Sequence, residues 1–591
     1  MEKNEGKCFK QMIMGIIINR ESNIRIKGDN MSYNLPKDLE EFRKVVRDFA
    51  EEKIKPIAFH LDQTKEFPKD IVNEMGKMGL LGIPFDEKYG GAGLTNEHYA
   101  IAVEELSRVD GGAGVILSAH TSLGTWGINE FGTEEQKEKY LRPLCDGTQI
   151  GGFGLTEENA GSDSAETETT AVDKGDYYLL NGKKIFITNA PEAQTYLVTA
   201  VTEPGKGNHG ISMFIVDKDF EGFTFSEPYD KLGIRSSITA ELHFKDVKVP
   251  KENLLGELNK GFKYAMMILD GGRIGIASQA LGIAQGAYES ALDHGMHRIQ
   301  FGQAIGRFQH NSFTLAQMAT ELKAARLLVY DAAKKKDANV KGYGKDAAMA
   351  KLYASDLAEK LTSQALQMYG GSGFIKGSDV ERFYRDAKIT QIYEGTNEIM
   401  KLVISGYILP KDKNAKKETP KAKEVKKDDG KKKEIFTGDP KEAAKKLVQA
   451  LVADGYDLKK DAVDLEEPVE NADRVVAVGM GLGEVQNLEV AKELANVTGS
   501  VLGSSRPAAQ VRRYVPLRQY IGVSGRKFAG ELYIGIGISG AGQHLRGLED
   551  AKKVVVINND EAAPFFKHCD YGIVGDFHEV VPALIEEIKN L

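Results

Sequence analysis

Cysteine is almost missing from this chain: three residues, Cys8, Cys145 and Cys569, among 591. They lie too far apart for a CxxC metal site and are too few for a disulfide framework, so no metal is expected and a reducing, cytoplasmic setting is. Long apolar runs are missing too. Met12-Ile-Met-Gly-Ile-Ile-Ile18 is far too short to span a bilayer, and Asn19-Arg-Glu-Ser follows it where a signal peptide would place small residues. Residues 1–32 therefore read as a leader without fold, with Met31 a candidate functional start. An excess of positive charge is also lacking. The net charge is −8, and a basic face able to neutralise phosphates is not offered, which argues against nucleic acid as a partner.

What is present is length, and a cut in it. A chain of 591 residues exceeds one hydrophobic core, and 41% hydrophobic with 28% charged residues is a soluble, globular composition. From Lys411 to Glu434 the chain holds eleven lysines, six acids and almost nothing apolar, leaving −13 for the remainder. As a flexible coil of roughly 24 residues this spacer reaches about 27 Å, and self-repulsion extends it.

In front of the cut the texture changes twice. Leu39, Phe42, Val45, Val46 and Phe49 recur at helical spacing after a start signal at Asn34-Leu-Pro-Lys-Asp. Gly90-Gly-Ala-Gly93 and Asp110-Gly-Gly-Ala-Gly114 are expected to break the helices. From Gly151 to about Gly256 short β-like runs appear, among them Tyr177–Leu180 and Lys184–Thr188 with Asn181-Gly182 as the turn between. A small barrel or sandwich is the expected arrangement. Helical periodicity returns from Phe262 to Leu409.

Behind the cut, Pro440–Leu451 reads as an amphipathic helix, and strands then alternate with helices: Arg474–Val478, Leu488–Val497, Glu531–Ile536, Lys553–Ile557 and Val580–Ile588. Alternation of this kind predicts a doubly wound parallel sheet, with Gly479, Gly537 and Asn558 at the carboxyl ends of strands, where ligands bind. The predicted boundaries are 33–150 (helical), 151–260 (β-barrel), 261–410 (helical bundle), 411–437 (linker) and 438–591 (α/β).

Glu394 lies between Tyr393 and Gly395, just past Arg382, Arg385 and Lys388. A glycine after a carboxylate lets the backbone approach a ligand, and desolvation raises a carboxylate's basicity toward general-base work. A lone glutamate at a helix end is ordinarily just solvated. Its surroundings say otherwise: Gly154-Leu-Thr-Glu-Glu-Asn-Ala-Gly-Ser-Asp163, Lys184-Ile-Phe-Ile-Thr-Asn189, Leu232-Gly-Ile-Arg-Ser-Ser237, Asp246-Val-Lys-Val-Pro250, Leu269–Ala277, Arg298-Ile-Gln-Phe-Gly302, Gln367–Phe374 and Arg385–Thr396 occur in order. On these blocks residues 33–408 resemble the acyl-CoA dehydrogenases, most closely the short-chain, butyryl-CoA type.

The resemblance implies that Glu394 removes the α-proton of a CoA thioester while a β-hydride passes to FAD. Tyr393 and Gly395 would flank the substrate, and the Glu394 backbone N–H would help hold the thioester carbonyl. Some relatives carry the base just before the arginine of the Leu-Asp-x-x-Arg motif; here that position is Gly272. Asp270 and Arg273 would lie near the pantetheine arm. Phe153, Leu155, Thr156, Gly161 and Ser162 would meet the flavin and its phosphates, with Phe186 and Thr188 on the other flank. Arg298, Gln300, Phe301 and Gln309 would grip the cofactor of a neighbouring subunit in a homotetramer, a dimer of dimers. Gln367, Gly370 and Gly371 would meet that cofactor's adenosine half, and Thr396 its phosphates. Glu158 and Asn159 replace a commoner Pro-Gly, and Phe186 a commoner Trp.

Gly535-Ile-Gly-Ile-Ser-Gly-Ala-Gly-Gln-His544 leaves an apolar strand on a glycine-rich turn, a weak dinucleotide signal alone. With Leu502-Gly-Ser-Ser-Arg506, Val555–Pro564 and Asp570–Asp576, residues 463–591 resemble the FAD-binding domain of the electron-transfer flavoprotein α subunit. That implies a second FAD. Arg506 would lie over its ring, Ser505 and Ser524 beside it, and His544 at its N1/O2 edge. Ser539 and Gln543 would meet phosphates and ribityl, Asn558 and Asp576 the adenosine ribose. The family's Gly-Gly-Arg-Gly is Gly479-Met-Gly-Leu here, which removes a phosphate-facing arginine at Met480. The function expected is a short-chain acyl-CoA dehydrogenase with a tethered electron carrier, working with an electron-transfer flavoprotein or its β-like subunit. Enoyl-CoA (crotonyl-CoA) reduction in such a complex, or a C-terminal domain that serves only for docking, are the alternatives.

Overall fold

The computed structural model describes residues 35–409, 434–522 and 525–591; the expected leader, most of the lysine-rich linker and Ser524 lie outside them. The chain divides into two compact units, residues 1–412 and 413–591, each with its own core.

The first unit opens with helix α1 (Lys37–Phe49), whose predicted periodicity buries Leu39, Phe42, Val46 and Phe49. Helices α2 (Asn96–Ser107) and α3 (Gly111–Ser118) follow. The break expected at the Asp110 run falls between α2 and α3, and its glycines open the second helix: the Asp110 carboxylate accepts the Gly112 N–H at 2.8 Å, an N-cap. A β-carbon at Gly112 would stand 1.9 Å from Ser236 Oγ, so glycine is required by close packing within α3.

The middle segment forms one seven-stranded sheet in the order β1 (Gly151–Gly154), β4 (Thr195–Val201), β2 (Thr170–Asp173), β3 (Tyr177–Thr188), β7 (Thr239–Pro250), β6 (Phe223–Phe225), with β5 (Ile211–Asp217) paired to β4. The expected turn at Asn181-Gly182 is absent. β3 runs through it as a single strand, shifting register against β7 between Leu180 and Gly182. Gly182 takes φ +146° with Thr169 Oγ1 only 2.5 Å from where its β-carbon would lie, so the glycine serves a bulge.

Helix α4 (Gly261–His297) is the spine of the bundle, packed against α5 (Gln309–Asp337), α6 (Tyr343–Tyr369) and α7 (Asp379–Ile389), with α8 (Asn397–Ile408) closing the unit. A two-strand hairpin, β8 (Ile299–Gln300) and β9 (Gln303–Ala304), joins α4 to α5.

The second unit is a fully parallel six-stranded sheet: β10 (Glu434–Phe436), β15 (Tyr571–Val574), β14 (Val554–Asn558), β13 (Leu532–Ile536), β11 (Arg474–Val478), β12 (Val501–Ser504). Helices α9 (Pro440–Ala453), α10 (Leu488–Val497) and α11 (Phe577–Lys589) complete the doubly wound form predicted. Residues 434–436, expected within the linker, instead form the edge strand β10, because Ile435 and Phe436 reach apolar partners in β15, including a Phe436–Tyr571 ring stack.

Candidate active site

Glu394 stands on a turn between α7 and α8, and both it and Gly395 are left-handed, with φ of +51° and +92°. For glutamate that conformation costs about 1–2 kcal/mol, so the surroundings must enforce it. Three anchors do. Thr396 caps α8 by accepting the Ile399 N–H at 3.3 Å. The Tyr393 hydroxyl donates to Gln279 on α4, whose Nε2 donates to the Gly111 carbonyl at 2.8 Å. Lys351 on α6 donates to the Gly395 carbonyl at 2.8 Å and to Asn397 Oδ1 at 2.9 Å.

The carboxylate so placed has a buried Oε2 with no hydrogen-bond partner. It rests on α4 at Gly272, where a β-carbon would stand 2.0 Å from Oε2 and 2.9 Å from Leu123 Cδ2. Burial pushes the Glu394 carboxyl up to about 8, against the opposing pull of Lys351 and Arg273. A buried, unpartnered acid near neutrality is what a general base requires. The next residue on α4 after Gly272, Arg273, pairs with Asp270 at 2.5 Å. Burial also raises Asp270, while Arg273 and Lys336 lower it.

The residues expected to hold the first FAD fall in two places. Phe153 and Leu155 are buried at the end of β1, with Thr156 partly covered behind them. Gly161 and Ser162 lie on an exposed loop, and nothing stands within 4 Å of a β-carbon built at Gly161. Phe186 is 62% exposed with φ +59°, its ring 5.2 Å from Tyr229, and Thr188 ends the same strand. The loop after β1 is pinned from below. Lys184, fully buried, donates to the Leu155 carbonyl at 3.1 Å, to Glu157 Oε1 at 2.6 Å and to Thr199 Oγ1 at 3.1 Å. A solvent-facing aromatic beside open backbone and a rigid floor fits a flat, polar-edged ring such as a flavin. The second set, Arg298, Gln300, Phe301, Gln309, Gln367, Gly370 and Gly371, gathers at the far end of the bundle, where His294 stacks on Tyr369 at 4.1 Å. All seven are exposed, and Phe301 is 94% so.

In the second unit the glycine turns after β11 and β13 abut: Gly481 N–H donates to the Gly537 carbonyl at 3.0 Å. A cleft of ≈ 280 Å³ opens there, lined among others by Gly483, Glu484, Asn558 and Asp576. Its lining holds acids and amides but no lysine or arginine, which suits sugar hydroxyls rather than phosphate. Asn558 donates to the Ile538 carbonyl at 3.0 Å, and Asp576 caps α11 by accepting the His578 N–H. Ser505 is buried, Ser539 and Gln543 are exposed, and Arg506 is exposed with Gln510 Oε1 3.2 Å from its Nε. His544 departs from the expectation of an open ring edge. It is buried, Nδ1 donates to the Ile521 carbonyl at 3.0 Å, and Nε2 accepts the Tyr533 hydroxyl at 2.7 Å. With burial pulling it down to about 4, the ring is neutral.

Three family models describe the first unit: the acyl-CoA dehydrogenase N-terminal domain over residues 36–148, the middle domain over 152–247 and the C-terminal domain over 259–409. The short-chain specific acyl-CoA dehydrogenase of Clostridium acetobutylicum is 53% identical over 378 residues, spanning 64% of this chain and 100% of that protein. This chain belongs to the acyl-CoA dehydrogenase family. The corresponding enzyme of Megasphaera elsdenii is 49% identical over 64% of this chain and 100% of its own. The solved butyryl-CoA dehydrogenase from that organism superposes with a TM-score of 0.63 at 48% identity, covering 64% of this chain and 100% of that one. Residues 468–549 match the electron transfer flavoprotein FAD-binding domain. The chain is thus an acyl-CoA dehydrogenase, a flavoprotein oxidoreductase, carrying a further domain of electron-transfer type.

Within this acyl-CoA dehydrogenase, sequence reasoning missed Lys351 and the Lys184–Glu157 pair. A signal existed for the first. Ala347, Ala350, Lys351, Ala354, Ser355 and Ala358 are all buried on α6, so Lys351 sits inside an apolar stripe where a lysine needs a partner. Among the described residues no helix is long and apolar enough to cross a membrane.

Proposed function

We propose that the enzyme oxidises short-chain acyl-CoA thioesters, with Glu394 as the base that takes the α-proton. The observation that carries this is Glu394 Oε2, buried without a hydrogen-bond partner over Gly272 on a turn held from three sides. FAD held by Phe153, Leu155, Thr156, Ser162, Phe186 and Thr188 supplies the acceptor for the β-hydride. The protein's own part is geometric and electrostatic. Glu394 accepts the proton at its carboxylate, its backbone N–H polarises the thioester carbonyl, and Asp270 with Arg273 orients the CoA arm. Short-chain preference is supported by the kinship to short-chain and butyryl-CoA enzymes.

The exposed set around Phe301 and Gly370 fits contact with a neighbouring subunit's cofactor in a homotetramer, and the chemistry belongs in the cytoplasm. The C-terminal domain holds a second FAD by Ser505, Arg506, Ser524, Ser539, Gln543, Asn558 and Asp576, with His544 set behind them as a buried support. It relays electrons to an electron-transfer flavoprotein or its β-like subunit. The deciding experiment is Glu394→Gln, which keeps FAD and abolishes bleaching by butyryl-CoA; persistent bleaching refutes the assignment. FAD released per chain, for the full protein against a chain ending at residue 410, tests the relay. Two against one supports it, and one against one leaves the tail a docking domain.

A second reading, enoyl-CoA reduction, draws on relatives named 3-(aryl)acrylate reductase (Clostridium sporogenes, 48% identical) and caffeyl-CoA reductase-Etf complex subunit CarC (Acetobacterium woodii, 47%). The flavin potential with ligand bound separates the two directions.

A further inference from the structure

We propose that Lys351 is a positioning residue for the base, clamping the left-handed turn that carries Glu394 and presenting a positive charge to its carboxylate. The inference rests on the assignment of Glu394 above. A lysine with no exposed surface, set in a stripe of alanines on α6, is costly to desolvate and persists only where its hydrogens are taken. Its ammonium donates to two acceptors immediately beyond the base, the Gly395 carbonyl and Asn397 Oδ1. Asn397 is itself fixed: its Nδ2 donates to Ser355 Oγ at 2.9 Å and to Asp356 Oδ1 at 2.7 Å. The whole assembly is therefore a stitch from α6 across the turn to the first residue of α8. Without it, the turn keeps only its Thr396 and Tyr393 anchors, and Gly395 adds no side-chain restraint of its own at the exit.

Charge gives the second half of the argument. The groups facing the Glu394 carboxylate are Lys351 on α6, Arg273 on α4, the Tyr99 hydroxyl on α2 and the adjoining Tyr393. Asp356, Glu398 and Arg273 face Lys351 in turn. Arg273 is engaged by Asp270, so Lys351 is the cation whose bonds run through the turn itself. Burial alone drives Glu394 toward its neutral form, in which it cannot accept a proton. A fixed ammonium offsets that without forming the direct ion pair that would quench the base.

The test uses the intact, FAD-loaded protein and three variants: Lys351→Met, Lys351→Arg and Asn397→Ser. Two quantities are followed against pH: the rate of anaerobic bleaching by butyryl-CoA, and carbodiimide labelling of Glu394 read by peptide mass, which reports the protonated carboxyl independently of turnover. Lys351→Met is expected to move both midpoints upward by about one unit or more and to slow bleaching at its optimum by about tenfold. Lys351→Arg keeps the charge and leaves the midpoints in place while the rate falls. Wild-type midpoints in a folded Lys351→Met protein overturn the inference. Should that variant lose its fold, Asn397→Ser decides: it removes one acceptor of the clamp but no charge, so a slower rate at unchanged midpoints supports the inference and an unchanged rate overturns it. Bleaching in Glu394→Gln would instead overturn the base assignment, so the two failures are distinguishable.

Discussion

Gly272 on α4 and Glu394 on the α7–α8 turn occupy one spot: a β-carbon at 272 would lie 2.0 Å from Glu394 Oε2. Glu394 is the expected base and 272 the position where some relatives carry theirs, and the two converge on the same volume. A side chain at 272 and the carboxylate of 394 exclude one another.

Gly272→Ala therefore displaces the Glu394 carboxylate. Because an ångström of misplacement costs about a hundredfold in rate, bleaching by butyryl-CoA is expected to slow by about 10- to 100-fold. FAD content should stay at the wild-type level, since the flavin-facing strands are untouched. Anaerobic stopped-flow traces and the flavin-to-protein absorbance ratio measure the two, and an unchanged rate contradicts the geometry.

In the unmodified enzyme, with the Glu394 carboxyl pushed up to about 8, the base is ionised only at the alkaline end of the neutral range. The chemical step is expected to rise with pH and to level off above about 8. A rate flat from pH 6 to 9 in single-turnover measurements goes against a buried base.

Asp386 on α7 is buried beside Asp110, accepts the Ile234 N–H at 2.5 Å, and is raised to about 7 chiefly by burial, with Arg382 opposing. Its folded value exceeds its unfolded one, so its contribution to stability is complete below the unfolded value near 4 and is lost as pH climbs to about 7. Asp386→Asn keeps an acceptor without the charge. Its melting temperature, relative to wild type, is expected to be higher at pH 8.5 than at pH 5; a gap that runs the other way rules out this account.

Lys184→Met leaves Glu157 buried without its cation beneath the loop after β1. Breaking a buried pair in this way costs about 3–5 kcal/mol, and the loop it supports is the one expected to meet the flavin. Both the melting temperature and FAD retention on gel filtration should fall, and Lys184→Met with Glu157→Gln should recover part of the loss. Full FAD retention in the single variant would show that the loop stands without its floor.

On the proposed two-flavin reading, shortening the lysine-rich spacer between residues 411 and 433 is expected to slow flavin-to-flavin transfer while bleaching of the first flavin is unaltered. Double-mixing kinetics resolve the two phases, and an unchanged transfer rate ends the case for a swinging carrier.

Much of this was legible in the chain because it repeats at short range. The α1 stripe, the β11 run Arg474–Val478 and the α10 run Leu488–Val497 emerge with the bounds or faces their periodicity predicted. Tertiary context overrode local signals elsewhere. Asn181-Gly182 reads as a hairpin turn, yet β7 pairs on both sides of it and draws the strand straight through. Ile435 and Phe436 follow a charge run and gain strand character only because β15 offers them an edge. At the site, Glu394 could be found from its neighbours, whereas Lys351, 43 positions earlier on another helix, could not be tied to it by spacing. His544 likewise looked like a ligand-facing ring until Tyr533 and Ile521 took both of its nitrogens.

The edge strand β10 has a mechanical meaning. Only three residues register it against β15: Glu434 opposite Tyr571, Ile435 opposite Gly572 and Phe436 opposite Ile573. Opening that short zipper releases about 10 Å of chain at roughly 3.3 Å per residue. The same event strips the cover from the outer rim of β15, leaving unpaired amides and carbonyls in a row. β10 is thus the hem of the sheet, and three residues of pairing are all that keep it from fraying into other chains.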